Sequence, residues 1–336
     1  MRFVPPPGAA APDLKGATLV IVSLVPCAVA VADAADTEQT LTLPPHPHPN
    51  THTPLTQPAV AVANVGELAV DAIVATLRLP LVARGADPNV LPASGHDAYD
   101  HLAAAGATGA AAAPAAPPPS AAATSLELYG DSSQKLYVLQ QRAPAVPGRQ
   151  RAFAEAAARA AKEGGAARVL LLCGLDAAWR REQQLDDAAA HPLRTVAFGS
   201  NGAAAADDPL AQAAQDAAGA LPLEPALEAD EREAGGWLPP WTLLDALAHE
   251  AVPSTLLCCF CSEGDNATHG LALAAAALRT LARADVAVGV VAAAHEEEGG
   301  GGKPGAFDAA TATAAQMRTP RSWVGLYGRR PERALY

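Results

Sequence analysis

Short apolar runs alternate along the chain with stretches in which apolar positions recur every three or four residues. Runs rich in Val, Leu, Ile, Tyr or Phe and bounded by turn formers predict strands at Thr18–Val22, Pro58–Val62, Leu126–Tyr129, Lys135–Gln141, Arg168–Cys173 and Thr255–Cys261. Gly130 to Gln134, between two of them, reads as a turn. After Val62, the segment Ala63-Asn64-Val65-Gly66 leads into Val70, Ile73, Val74 and Leu77 at i, i+3, i+4 and i+7, the spacing of a helix with one apolar face. Arg149 to Glu163 predicts a second helix, closed by Gly164-Gly165, and Asn266 to Arg283 a third. This strand-loop-helix rhythm, with continuous apolar strands, predicts one α/β layered domain: a largely parallel or mixed sheet flanked by helices.

Four stretches break the rhythm. Ser23 to Gln57 ends in Pro, His and Thr; Ala103 to Ala123 is nearly all Ala, Pro and Gly; Ser200 to Glu233 is acidic and Ala-rich; Ala294 to Ala315 holds three consecutive glutamates and a glycine run. Such compositions bury little area against the entropy of ordering, so all four are expected to be flexible insertions (23–57, 103–123, 200–233 and 294–315) in a single domain spanning 1–336.

Composition narrows the function. Hydrophobic residues make up 50% of the chain but aromatics only 4%, so alanine dominates the apolar share and buries little area per residue. A net charge of -12 argues against nucleic acid or an anionic membrane as partner. Ala17 to Ala32 is interrupted by Pro26 and falls short of the roughly 20 residues a spanning helix needs. Five cysteines, three of them crowded at Cys258, Cys259 and Cys261, form no spaced framework, which fits a reducing intracellular compartment.

Charge is distributed unevenly. Residues 317–336 carry Arg318, Arg321, Arg329, Arg330 and Arg333 against Glu332 alone, a net +4 that leaves -16 on the rest. A basic arm tipped by Ala334-Leu335-Tyr336 on an acidic body suits docking to another protein.

The candidate chemistry is sparse. His46, His48 and His52 lack a Cys or carboxylate companion for a metal site, and Cys258, Cys259 and Cys261 on an apolar strand read as core. Two polar loops, Asn64-Val65-Gly66-Glu67 and Ser262-Glu263-Gly264-Asp265-Asn266, each follow a strand and open a helix, where α/β sheets commonly bind ligands. They read either as an anion pocket or as caps and turns, with Asn64, Asp265 or Asn266 capping and Gly66 and Gly264 turning. Trp237 and Trp241 flank Pro239-Pro240 as sheet cover or as an interface anchor; Trp323 is open to the same two readings. No nucleophile with a base, acid pair or phosphate-cradling loop stands out, so no catalytic residue, metal or cofactor is assigned.

In order along the chain, Phe3-Val4-Pro5, Ala11-Pro12-Asp13-Leu14, Pro58-Ala59-Val60, Asn64 to Ala69 with Asp71, Phe260 with Ser262 to Asn266, Pro320, Ser322-Trp323 and Ala334-Leu335-Tyr336 resemble the proteasome assembly chaperone 2 family. The resemblance spans both ends and the middle and skips the four insertions. It implies a non-enzymatic chaperone with a fold related to purine nucleoside phosphorylases. It also implies pairing with proteasome assembly chaperone 1, a hold on the outer face of the 20S proteasome α-ring through the α subunits, and a place in cytoplasm and nucleus. Family tails end hydrophobic-tyrosine-any; here Tyr336 is last rather than penultimate. The contrasting reading from the residues alone is a phosphorylase- or hydrolase-type enzyme, with Asn64, Gly66, Glu263 and Asp265 lining an anion pocket.

Overall fold

The computed structural model describes residues 1–5, 12–22, 64–99, 122–131, 135–180, 193–199, 208–225, 228–229, 239–262, 264–284 and 307–323. Nine strands form one mixed sheet: β1 (Arg2–Val4), β2 (Thr18–Val22), β3 (Leu81–Ala86), β6 (Leu126–Asp131), β7 (Leu136–Gln141), β8 (Arg168–Asp176), β9 (Leu193–Phe198), β10 (Leu221–Pro222) and β11 (Ser254–Cys261). β4 (Ser94–His96) and β5 (Ala122–Thr124) pair separately. The order across the sheet is β1-β3-β6-β7-β2-β8-β11-β9-β10. β7, β2, β8 and β11 run parallel at the centre, with antiparallel strands on both sides.

Period-two alternation in these strands divides the core into two layers. Leu136 and Val138, Leu170 and Leu172, and Leu257 and Cys259 face helices α1 (Val65–Leu77), α3 (Pro209–Ala218) and α5 (Ala267–Arg283). Tyr137 and Leu139, Leu171 and Cys173, and Cys258 and Phe260 face α2 (Gln150–Glu163) and α4 (Pro239–His249). Alanine has a positive use here, because small side chains let helices lie close to the sheet and to one another. In α5, Ala274 to Ala277 are all buried. Gly66 is helical and marks the closest approach: a Cβ there would lie 2.5 Å from the Leu172 carbonyl oxygen of β8. The expected turn role for Gly66 is therefore corrected to close packing. Since β8 is a central strand that cannot step aside, Gly66→Ala is expected to cost on the order of 1–3 kcal/mol by overpacking. It would be read as a lowered denaturation midpoint at unchanged m-value.

Three of the four stretches expected to be flexible are corrected in part. Within 200–233, α3 buries Leu210, Ala211, Ala213 and Ala214, and β10 extends the sheet beside β9. The helix is specified by its ends rather than by its alanines. Asp208 Oδ1 accepts from the Leu210 and Ala211 amides at 2.9 and 3.0 Å, Pro209 occupies the first turn, and Gly219 closes it at φ 69°. The same Asp208 oxygen accepts from Thr255 Oγ1 at 2.8 Å, fastening α3 to β11. Residues 122–123 belong to β5, and Gly130 and Asp131 continue β6 instead of turning. Residues 307–315 begin a strap of single 3-10 turns that buries Phe307, Ala309 and Ala312. Residues 23–57, including the three histidines, and the strand expected at Pro58–Val62 lie outside the described residues, as does Trp237. Trp241 is sheet cover, 1% exposed. Among the described residues no helix is long and apolar enough to cross a membrane.

Candidate functional site

The C-terminal end of β7 gathers a cluster of buried polar groups. Gln140 is the penultimate residue of β7 and Arg142 follows the strand; Glu127 stands opposite Gln140 in register on β6; the first two turns of α1 bring Glu67 and Asp71 over them. Asp71, 4% exposed, is the hub. Its Oδ1 accepts from Tyr99 Oη, from Gln140 Nε2 at 2.8 Å and from Arg142 Nη2 at 3.2 Å. Its Oδ2 accepts from Trp323 Nε1 at 3.2 Å. Glu127 is as fully engaged: Oε2 accepts from Tyr129 Oη at 2.9 Å and Arg142 Nε at 3.1 Å, and Oε1 from the Thr124 amide at 3.1 Å. The Tyr99 and Tyr129 rings meet edge to face, 5.3 Å between centroids, and the Arg142 guanidinium lies 5.4 Å from the Tyr99 ring centre. Burial pushes both phenols up, so they serve as neutral donors.

Glu67 is the unusual member. Burial first, and the Asp71 charge second, push its carboxyl up to about 7, with Arg142 pulling the other way. Asp71 and Glu127 both pair with the Arg142 guanidinium, and Glu67 lies close by, so acidic groups outnumber the cation in this cluster. Arg142 already bridges Asp71 and Glu127, and the indole held by Asp71 belongs to the chain itself.

The helices that follow the two polar loops pack against each other. A Cβ on Gly270 of α5 would lie 2.5 Å from Leu68 Cβ, so α1 and α5 cross closely just inside their N-termini. Asn64 does not cap with its side chain. It adopts φ 55°, a left-handed conformation asparagine tolerates, and this geometry turns the chain into Val65 and the helix. Asp265 Oδ1 accepts from the Ala267 amide at 3.1 Å, an Asx turn one residue before the N-cap Asn266, whose own side chain makes no cap bond. Asn266 Nδ2 donates to the carbonyls of Ser262 at 2.7 Å and Gly264 at 3.2 Å, and Gly264 takes φ 136°, a turn residue as expected. Glu263 and the arm residues Arg329, Arg330, Arg333, Ala334, Leu335 and Tyr336 lie outside the described residues.

Sequence reasoning missed Tyr99, Glu127, Gln140 and Arg142, which lie apart in the chain; the only readable sign was polar side chains ending an apolar strand. The cysteines follow the core reading. Cys173, Cys258, Cys259 and Cys261 are buried and free, with Cys173 paired in register to Cys258. The thiols of Cys173 and Cys259 are pushed up by hydrogen bonding to Cys258 and Cys261 respectively and by burial, which makes them poor nucleophiles. Among the described residues no three His, Cys, Asp or Glu side chains are placed to hold a metal ion. On the opposite face, α2 and α4 border an open groove of about 880 Å³ with Arg151, Glu155 and Arg159 on one wall and Asp245, His249 and Glu250 on the other.

The family model described as the PAC2 family matches residues 55–297, which include Asp71 and its partners other than Trp323, both polar loops and helices α1 to α5. The chain belongs to the PAC2 family. Among its relatives, proteasome assembly chaperone 2 of Danio rerio is 31% identical over 246 residues, covering 65% of this chain and 78% of the relative. Proteasome assembly chaperone 2 of Nematostella vectensis is 28% identical over 226 residues, covering 65% and 85%. The solved structure of Pyrococcus furiosus PbaA, described as an archaeal homologue of proteasome-assembly chaperone, aligns at a TM-score of 0.43 and 11% identity over 81% of this PAC2 chain and 84% of its own. The strap 307–323 and the basic arm lie beyond the residues the PAC2 model matches.

Proposed function

We propose that this PAC2-family chain is a proteasome assembly chaperone that works by binding, without catalysis or cofactor. The observation that carries the reading is its identity of about 30% to proteins named proteasome assembly chaperone 2, across most of their length. The buried acidic cluster is consistent with it, because Asp71 and Glu127 already accept hydrogen bonds from the chain's own donors. In this reading the chain pairs with a proteasome assembly chaperone 1 partner through its folded body. The basic arm, with Arg329, Arg330, Arg333, Ala334, Leu335 and Tyr336, then docks on the α subunits of the forming ring, in cytoplasm and nucleus.

Deleting Leu335 and Tyr336 is expected to cost roughly thirty- to several-hundred-fold in α-ring affinity, the 2–4 kcal/mol of a hot spot, and to leave the pairing of the two chaperones intact. Neutralising Arg329, Arg330 and Arg333 is expected mainly to slow association and flatten its salt dependence. Titrating intact and truncated heterodimer against α-ring intermediates at two ionic strengths measures both. Equal affinities would remove the arm from the mechanism. Saturable binding of phosphate or a nucleoside by the purified chain would favour the enzyme reading instead.

A further inference from the structure

Every oxygen of the Asp71 and Glu127 carboxylates already accepts a hydrogen bond. The two acids share the Arg142 guanidinium, and the strap takes Asp71 Oδ2 through Trp323 Nε1. The strap is fixed to the same helix a second time, where the Arg318 amide donates to Thr76 Oγ1 at 2.9 Å. Glu67 differs from both acids. It is half-buried one turn before Asp71 on α1, and among the described residues its carboxyl accepts no hydrogen bond and forms no ion pair. Gln140 adds a second unmet acceptor. Its side chain is out of contact with water, its Nε2 end is committed to Asp71 Oδ1, and its Oε1 has no hydrogen-bond partner.

We infer that this cluster is a docking point for a lysine or arginine side chain of a protein partner, received by the Glu67 carboxylate, with Gln140 Oε1 as a further acceptor in the same cluster. The inference rests on the pairing reading above, in which the folded body meets a proteasome assembly chaperone 1 partner. Charge selects the occupant. Asp71 and Glu127 against Arg142 leave one net negative charge, and ionising Glu67 makes two, so the cluster is short of a cation. The unmet groups are acceptors alone, which calls for a positive group carrying several N–H donors. A metal ion fits less well, because among the described residues no three His, Cys, Asp or Glu side chains are placed to hold one. Of the other groups nearby, Tyr99 and Tyr129 are neutral, while Asp265 and His269 stand at the neighbouring start of α5. A carboxyl pushed up to about 7 by burial and by Asp71 holds its proton only until a cation arrives.

Calorimetric titration of the full chain with its chaperone 1 partner, in two buffers of different ionisation enthalpy, counts the protons exchanged on pairing. A carboxyl near 7 that ionises in the complex releases about half a proton at pH 7, and affinity then rises about tenfold from pH 6 to pH 8. Glu67→Gln removes the titrating group without adding charge. It is expected to lose that half proton, to bind about tenfold more weakly at pH 8 and to show no such rise with pH. Comparing the two proteins cancels any contribution of His269, which both share. Equal proton release in the two proteins, proton uptake on pairing, or equal affinities at pH 8 would overturn the inference. So would the same release when the chain alone is titrated with calcium or magnesium chloride, which would make the site a metal's. Should the unmutated chain not pair with the chaperone 1 partner at all, the pairing reading falls and takes this role with it.

Discussion

Asp71→Ala is expected to destabilise the fold by about 3–5 kcal/mol, the cost of breaking a buried ion pair from one side. Asp71 accepts four side-chain donors in a site it fills almost out of contact with water. Removing it leaves Arg142 with Glu127 as its carboxylate and takes the Asp71 acceptor away from Tyr99 Oη, Gln140 Nε2 and Trp323 Nε1. Because Glu127 still faces the guanidinium, the lower part of the range is expected. Asp71→Asn, which keeps the shape and one acceptor, should cost less. Denaturant unfolding of the three proteins checks this; a loss below about 1 kcal/mol for the alanine variant would mean that the four bonds are not formed together.

Glu67→Gln is expected to stabilise the protein above neutral pH and to change little below about pH 4.5. The folded carboxyl is raised from 4.5 to about 7, so the native state holds a proton there that the unfolded chain has lost. Stability from this group is complete below the unfolded value, declines as pH rises from 4.5 toward 7, and is gone above it. At 1.36 kcal/mol per unit the difference is on the order of 3 kcal/mol at pH 8, and glutamine, neutral throughout, escapes it. Melting temperatures of the two proteins from pH 4 to 8 should diverge upward through that window in favour of Glu67→Gln. Parallel curves would show that Glu67 is ionised in the fold at ordinary carboxylate pH.

The central sheet was legible because its strands are buried on both faces and therefore read as continuous apolar runs; Thr18–Val22, Leu136–Gln141 and Ser254–Cys261 stand within a residue of their expected bounds. Leu81–Ala86 and Leu193–Phe198 escaped because they lie toward the sheet's sides and carry Arg84 and Arg194, which interrupt the apolar pattern. Helix α3 escaped because an alanine-rich window was judged on composition, while Asp208, Pro209 and Gly219 announced its two ends. The candidate site was half legible. Asn64, Gly66 and Glu67 announced the start of α1, but nothing in the sequence connects Asp71 with Arg142 or Trp323, since their meeting depends on which strands become neighbours.

The hub is assembled from pieces made at very different times. Gln140 and Arg142 follow Asp71 by 69 and 71 residues, whereas Trp323 follows it by 252. At a synthesis rate of roughly 5–20 residues per second, the first partners emerge within about 4–14 s of Asp71 and the indole only after some 13–50 s. Every newly made copy thus passes through an interval in which α1 and the sheet are joined but the strap has not yet arrived, leaving the Thr76 hydroxyl and one oxygen of Asp71 to water.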